Sequence, residues 1–129
     1  MTVHLVDTSV WVDFLRGISN PRVSLLESLL HDGEAYLCEV TYAEICVGAK
    51  SPQQFQKFAQ SFAGLPFLSL PNHWHQEIAR MGYVLKSKGR KAFIADLLIA
   101  LVALHHRVPL LSKDKDFEVF RALFGLRLE

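Results

Sequence analysis

A regular alternation limits what this chain can fold into: short apolar runs, most closed by a turn or an acidic residue, are separated by segments with helical spacing. Residues 3–6, 35–38, 67–70 and 108–111 read as buried strands, and residues 126–128 as a fifth. Residues 9–15 form a first helical segment, stopped by Gly17 and the Asn20-Pro21 break. Val23, Leu25, Leu26, Leu29 and Leu30 stripe a second, closed by Asp32-Gly33. A third opens at Thr41 and ends near Gly48. Ser51-Pro52-Gln53-Gln54 starts a fourth, with Phe55, Phe58, Ala59 and Phe62 on its apolar stripe. A long helix covers about residues 72–88, and residues 96–105 are so uniformly apolar that they predict a helix buried on most sides. Strands alternating with helices predict a parallel sheet covered on both faces. The expected fold is α/β, a three-layer α/β/α arrangement around a central parallel sheet of four to five strands. One domain spans residues 1–129.

Half of the residues are hydrophobic, ample for a core at this length. The apolar stretch 93–104 is broken by Asp96 and too short to span a bilayer, so no membrane role is expected. The N-terminus lacks the basic start and small-residue cleavage site of a signal peptide, which points to a cytoplasmic protein. Cys38 and Cys46 read as buried thiols. His73-x-His75 and His105-His106 have no Cys or His partner at a zinc-binding spacing. With a net charge of +1, no global field draws the chain to nucleic acid, but Lys86, Lys88, Arg90 and Lys91 form a local basic stretch around Gly89. That stretch reads either as a solvated helix end or as a phosphate-binding surface.

The chemistry is concentrated in carboxylates at strand ends and helix starts. Ligands of an open parallel sheet bind at the carboxyl ends of its strands, and Asp7 follows the first strand directly. It could equally cap the helix beginning near Ser9. Thr41-x-x-Glu44 matches a capping box, which gives Glu44 a structural alternative too. Asp96 is the only charge between Lys91 and His105, in a stretch expected to be buried. Helix-dipole stabilisation is the competing account. Asp114 and Asp116 follow the fourth strand, where acidic turn residues are common. Asp13 reads as a solvated or partner-facing charge. Together, carboxylates crowded at one sheet edge repel each other, and a bound divalent cation reverses that cost. An all-oxygen donor set favours magnesium, with manganese as a substitute, over zinc.

Four blocks in order then carry a resemblance over essentially the whole chain: Val6-Asp7-Thr8-Ser9-Val10-Trp11-Val12-Asp13-Phe14-Leu15, Val40-Thr41-x-x-Glu44-Ile45-x-x-Gly48, Asp96-Leu97-Leu98-Ile99-Ala100, and Leu110-Leu111-Ser112-Lys113-Asp114-Lys115-Asp116-Phe117. The chain resembles the PIN-domain ribonucleases, specifically the VapC-type toxins of bacterial toxin–antitoxin pairs. The resemblance implies a PIN-like fold and a magnesium-dependent endoribonuclease. Its acidic ligands would be Asp7, Glu44 and Asp96, with either Asp116 or Asp114 as the fourth. Ser9 matches a hydroxyl position of the motif and would support the water or metal shell. The resemblance also implies a cognate VapB-type antitoxin whose C-terminal segment covers the pocket.

On that reading Asp7 and Asp96 are the first choice for direct ligands, and Lys86, Lys88, Arg90 and Lys91 are the candidates for holding the RNA backbone. A homodimer is expected from the surplus of large apolar residues, among them Trp11, Phe55, Phe58, Phe62 and Trp74, each of which could instead be core. Two other enzyme-like patterns fit poorly. A phosphoaspartyl enzyme wants an Asp where Ser9 stands, and a receiver domain wants an Asp after the third strand, where Pro71 stands. The serious alternative is a catalytically inactive PIN-like module that binds RNA or a partner.

Overall fold

The computed structural model describes residues 2–129. Three parallel strands lie at its centre: β1 (His4–Val6), β2 (Ala35–Tyr36) and β3 (Leu110–Leu111), in the order β2-β1-β3. The register pairs Leu5 with Tyr36 on one side and with Leu110 on the other. The sheet therefore has three strands and not the expected four to five. Two of the expected strand segments survive only as single parallel bridges, Leu37 to Phe67 and Leu110 to Leu128. The first has a local cause: Phe67 lies between Pro66 and Pro71, which offer no N–H for a longer ladder.

Among the described residues, seven α-helices surround the strands: α1 (Thr8–Leu15), α2 (Pro21–His31), α3 (Glu39–Val47), α4 (Pro52–Ala63), α5 (Trp74–Ser87), α6 (Ile94–His106) and α7 (Glu118–Phe124). Successive strand residues face opposite ways, so neighbours in sequence enter different cores. Leu5 and Leu110 pack with Met81, Leu85, Leu97, Ala100 and Phe117, whereas Val6 and Leu111 pack with Trp11, Leu26, Leu37, Ile45 and Phe62. Helices thus cover both faces of a parallel sheet, as the alternation of elements implied.

The caps explain where helices begin. Asn20 accepts from the Val23 N–H at 2.9 Å ahead of Pro21, and Ser51 accepts from the Gln54 N–H at 3.0 Å ahead of Pro52. The start of α3 differs from expectation. Thr41 is not its first residue; its hydroxyl accepts from the Cys38 N–H at 2.9 Å, two residues after the helix has begun. Glu44 is consequently in the body of α3 and not in a capping box. The Asp13 expectation is also overturned: the residue is only 4% exposed, and its Oδ1 lies 2.9 Å from Lys113 Nζ. A buried carboxylate of this kind is tolerable because it is paired. Cys38 and Cys46 are buried free thiols, and burial pushes the Cys38 thiol up. Among the described residues, no helix is long and apolar enough to cross a membrane.

Candidate metal centre

Strand order creates the cleft. The chain leaves β1 toward β2 on one side, while β3 lies on the other, so the carboxyl ends of β1 and β3 flank the switch in strand order. Asp7 follows β1, and Ser112 follows β3. The Asp7 N–H donates to the Leu111 carbonyl at 2.8 Å, which fixes these two ends side by side.

Asp7 caps α1, and it does so while lying near enough to Asp96 for its charge to act there. Its Oδ2 accepts from Ser9 Oγ at 2.7 Å and Ser112 Oγ at 2.8 Å, with a longer bond of 3.4 Å from the Ser9 N–H. Its Oδ1 takes no hydrogen bond from the described residues. The two structural possibilities read from sequence are therefore compatible, because a carboxylate has two oxygens. Ser112 also accepts from the Asp114 N–H at 3.0 Å, so one buried hydroxyl ties Asp7 to the acidic turn.

Glu44 projects from the second turn of α3, where Thr8 Oγ1 donates to its Oε1 at 2.7 Å. Asp96 stands in the first turn of α6 and is half-buried; Phe93 is the capping residue. Carboxylate oxygens of Asp96, Asp114 and Asp116 lie within 4.8 Å of one another. The Asp114 side chain caps a single 3₁₀ turn (Lys115–Phe117) by accepting from the Asp116 N–H at 2.9 Å. Asp114 and Asp116 are thus both brought to Asp96.

The electrostatics report the crowding. Burial, then the charges of Asp114, Asp7, Asp116 and Glu44, push the Asp96 carboxyl from 3.8 up to about 6. Of the acidic residues singled out in the sequence, Asp114 and Asp116 thus gather at Asp96, Asp7 and Glu44 lie near enough for their charge to act on it, and Asp13 stands apart with Lys113. Repulsion among fixed carboxylates, with no Cys or His in the group, suits a hard divalent cation with oxygen ligands.

A cavity of about 810 Å³ opens beside this cluster. Asp96 and Asp116 line it together with Lys88, Arg90 and Lys91, and Lys86 of the same basic stretch does not. Lys115 and Arg121 line it as well and add positive charge. Sequence reasoning missed these two, and also Thr8 and the bridging role of Ser112. Lys115 and Arg121 carried no pattern of their own. Ser112 had one signal, a hydroxyl directly after a strand whose neighbour also ends in Asp-Thr-Ser. The aromatic residues divide: Trp11 and Phe62 are core, whereas Phe55 and Trp74 are exposed.

A family model described as PIN domain matches residues 4–123. The chain is 31% identical to Ribonuclease VapC21 of Mycobacterium tuberculosis over 106 residues, covering 76% of this chain and 73% of that protein. It is 26% identical to Ribonuclease VapC11 of the same organism over 133 residues, covering 95% of each. Among solved structures it is similar to VapBC2 from Rickettsia felis bound to a DNA fragment from their promoter, with a TM-score of 0.79 and 20% identity, covering 99% of this chain and 98% of that one. That last likeness is one of fold.

Proposed function

The chain belongs to the PIN-domain family, and from that premise we propose that it is a magnesium-dependent endoribonuclease, the toxin of a type II toxin–antitoxin pair, which hydrolyses RNA phosphodiester bonds. The observation that carries this reading is the convergence of Asp96, Asp114 and Asp116 within 4.8 Å, with Asp7 and Glu44 near enough to perturb Asp96. The relatives named ribonucleases supply the reaction class.

Asp96 and Asp116 would hold the ion, with Asp7 contributing its free Oδ1 and Asp114 and Glu44 completing the acidic shell. When bound, magnesium supplies a Lewis acid that activates water and neutralises charge on the departing oxygen; manganese is the chemically closest substitute. The protein groups do the positioning. Ser9 and Ser112 hold Asp7 by one oxygen, which leaves the other without a hydrogen bond from the described residues. Thr8 holds Glu44 in the same way. Lys88, Arg90 and Lys91 offer donors to RNA phosphate oxygens along the cavity, contacts that position a strand without reading its sequence.

The partners follow from the same reading. Solved relatives include VapBC assemblies, so a VapB-type antitoxin is the proposed partner. A cytoplasmic location and a homodimer complete the proposal. The exposed Phe55 and Trp74 support the dimer; the buried Trp11 and Phe62 do not.

The test is cleavage of structured RNA with magnesium and with EDTA, comparing wild type with Asp7→Asn and Asp96→Asn. Metal-dependent cutting, lost in both variants while folding is kept, is expected. Cutting that survives both substitutions removes the site assignment.

A further inference from the structure

We infer that the ring of Phe93 is a stacking platform for one unpaired nucleobase of the RNA strand, set at the rim of the acidic cleft. This rests on the endoribonuclease reading and adds a base-binding subsite to it.

Phe93 caps α6 through its backbone, three residues before Asp96, and the residue is 54% exposed. Folding gains little from a large ring left half in water. Phe93 lines the same cavity as Asp96 and Asp116, beside the place where chemistry would occur. Cations stand beside it, with the carboxylates on the same lining: Lys88, Arg90 and Lys91 line that cavity too, and Lys91 Nζ lies 5.9 Å from the ring centroid. An aromatic face among phosphate-binding cations is the pairing that single strands require. The cations track the backbone, and the ring takes a base by its π-face with little regard to sequence. A base within a duplex has no free face to offer, so this subsite favours unpaired RNA next to the scissile bond.

The experiment measures binding of labelled oligoadenylate by the full chain in EDTA, where cutting is suppressed. Wild type is compared with Phe93→Ala, Phe93→Leu and Phe93→Trp, and each is also tested on an abasic ribose-phosphate chain of equal length. Removal of one stacking ring should weaken oligoadenylate binding about 5- to 150-fold in Phe93→Ala. Phe93→Trp should retain affinity, and Phe93→Leu should behave like the alanine variant because it keeps apolar bulk but no π-face. The abasic chain should bind all four proteins equally. Unchanged oligoadenylate affinity in Phe93→Ala would overturn the inference. So would an equal loss on the abasic chain, or wild type binding the two chains equally. Because the assay needs neither metal nor cutting, its failure is separable from failure of the nuclease reading, which the Asp96→Asn cleavage assay decides.

Discussion

Asp13 Oδ1 and Lys113 Nζ meet at 2.9 Å across 100 residues of sequence, linking the last turn of α1 to the residue between Ser112 and Asp114. The pair ties the acidic turn after β3 to the helix that Asp7 caps. Asn20 Nδ2 adds a longer contact of 3.4 Å to Asp13, and Arg22 Nε donates to the Ser112 carbonyl at 2.9 Å. The turn is therefore held from one side by α1 and α2, and from within by Ser112.

Removal of one partner should cost more than removal of both. Lys113→Ala leaves the buried Asp13 carboxylate without its cation and should destabilise the protein by about 1–3 kcal/mol. Lys113→Ala combined with Asp13→Asn should recover part of that loss, since the uncompensated charge is gone. Chemical denaturation of the two singles and the double measures the coupling. Equal, additive losses would show that the pair is a surface contact of little energetic weight.

Asp96→Asn should stabilise the metal-free protein while abolishing RNA cleavage. The substitution deletes a carboxylate repelled by four others, and Asp96 accepts no hydrogen bond from the described residues that would be lost. Solvent screening of this half-exposed group keeps the gain to about 1 kcal/mol or less. Differential scanning calorimetry in EDTA checks the sign. Marked destabilisation would instead make Asp96 a helix-start residue first.

The pH dependence follows from the same carboxyl. Its folded-state value of about 6 lies above the ordinary 3.8, so between these limits the folded protein binds more protons than the unfolded chain. Its contribution to stability is thus full below the ordinary value and is lost as pH rises through about 6. Stability curves of wild type and Asp96→Asn in EDTA should separate progressively between about pH 4 and about pH 7, with wild type the less stable at the upper end. Magnesium affinity should rise over the same interval, because a ligand oxygen must first lose its proton. Isothermal titration at several pH values reads that rise directly.

Asp114 and Asp116 should separate by what each loses. Asp116→Asn should lower magnesium affinity with little change in stability, since no hydrogen bond from the described residues ends on that side chain. Asp114→Ala should also destabilise the protein by about 1 kcal/mol, because its Oδ1 caps the 3₁₀ turn, and Asp114→Asn should retain that cap. Metal titration beside thermal melting of the three variants distinguishes ligand from cap.

Much of this was legible in the chain itself. Periodicity placed α2, α4 and α6 within one or two residues because each has its own stop, cap or apolar stripe, such as Asp32-Gly33 after α2 and Ser51-Pro52 ahead of α4. It was less reliable where a boundary depends on geometry. The local pattern Thr41-x-x-Glu44 looked like a helix start, yet α3 begins at Glu39 because Cys38 is already extended and Thr41 reaches back to it. The expected outer strands shrank to bridges at Phe67 and Leu128, since ladder length depends on which neighbours reach alongside.

The sequence by itself determined the residue types at the candidate site, five carboxylates, with the fold class set by alternation of its elements. Tertiary structure alone decided their grouping. It put Asp114 and Asp116 together beside Asp96, gave Asp7 a cap and an open oxygen at once, buried Asp13 against Lys113, and added Lys115 and Arg121 to the cavity. The reason is physical. Helical and strand periods are local properties of the chain, whereas the perturbation of one carboxyl by four others depends on distances that only the packed strands β1 and β3, and the helices against them, fix.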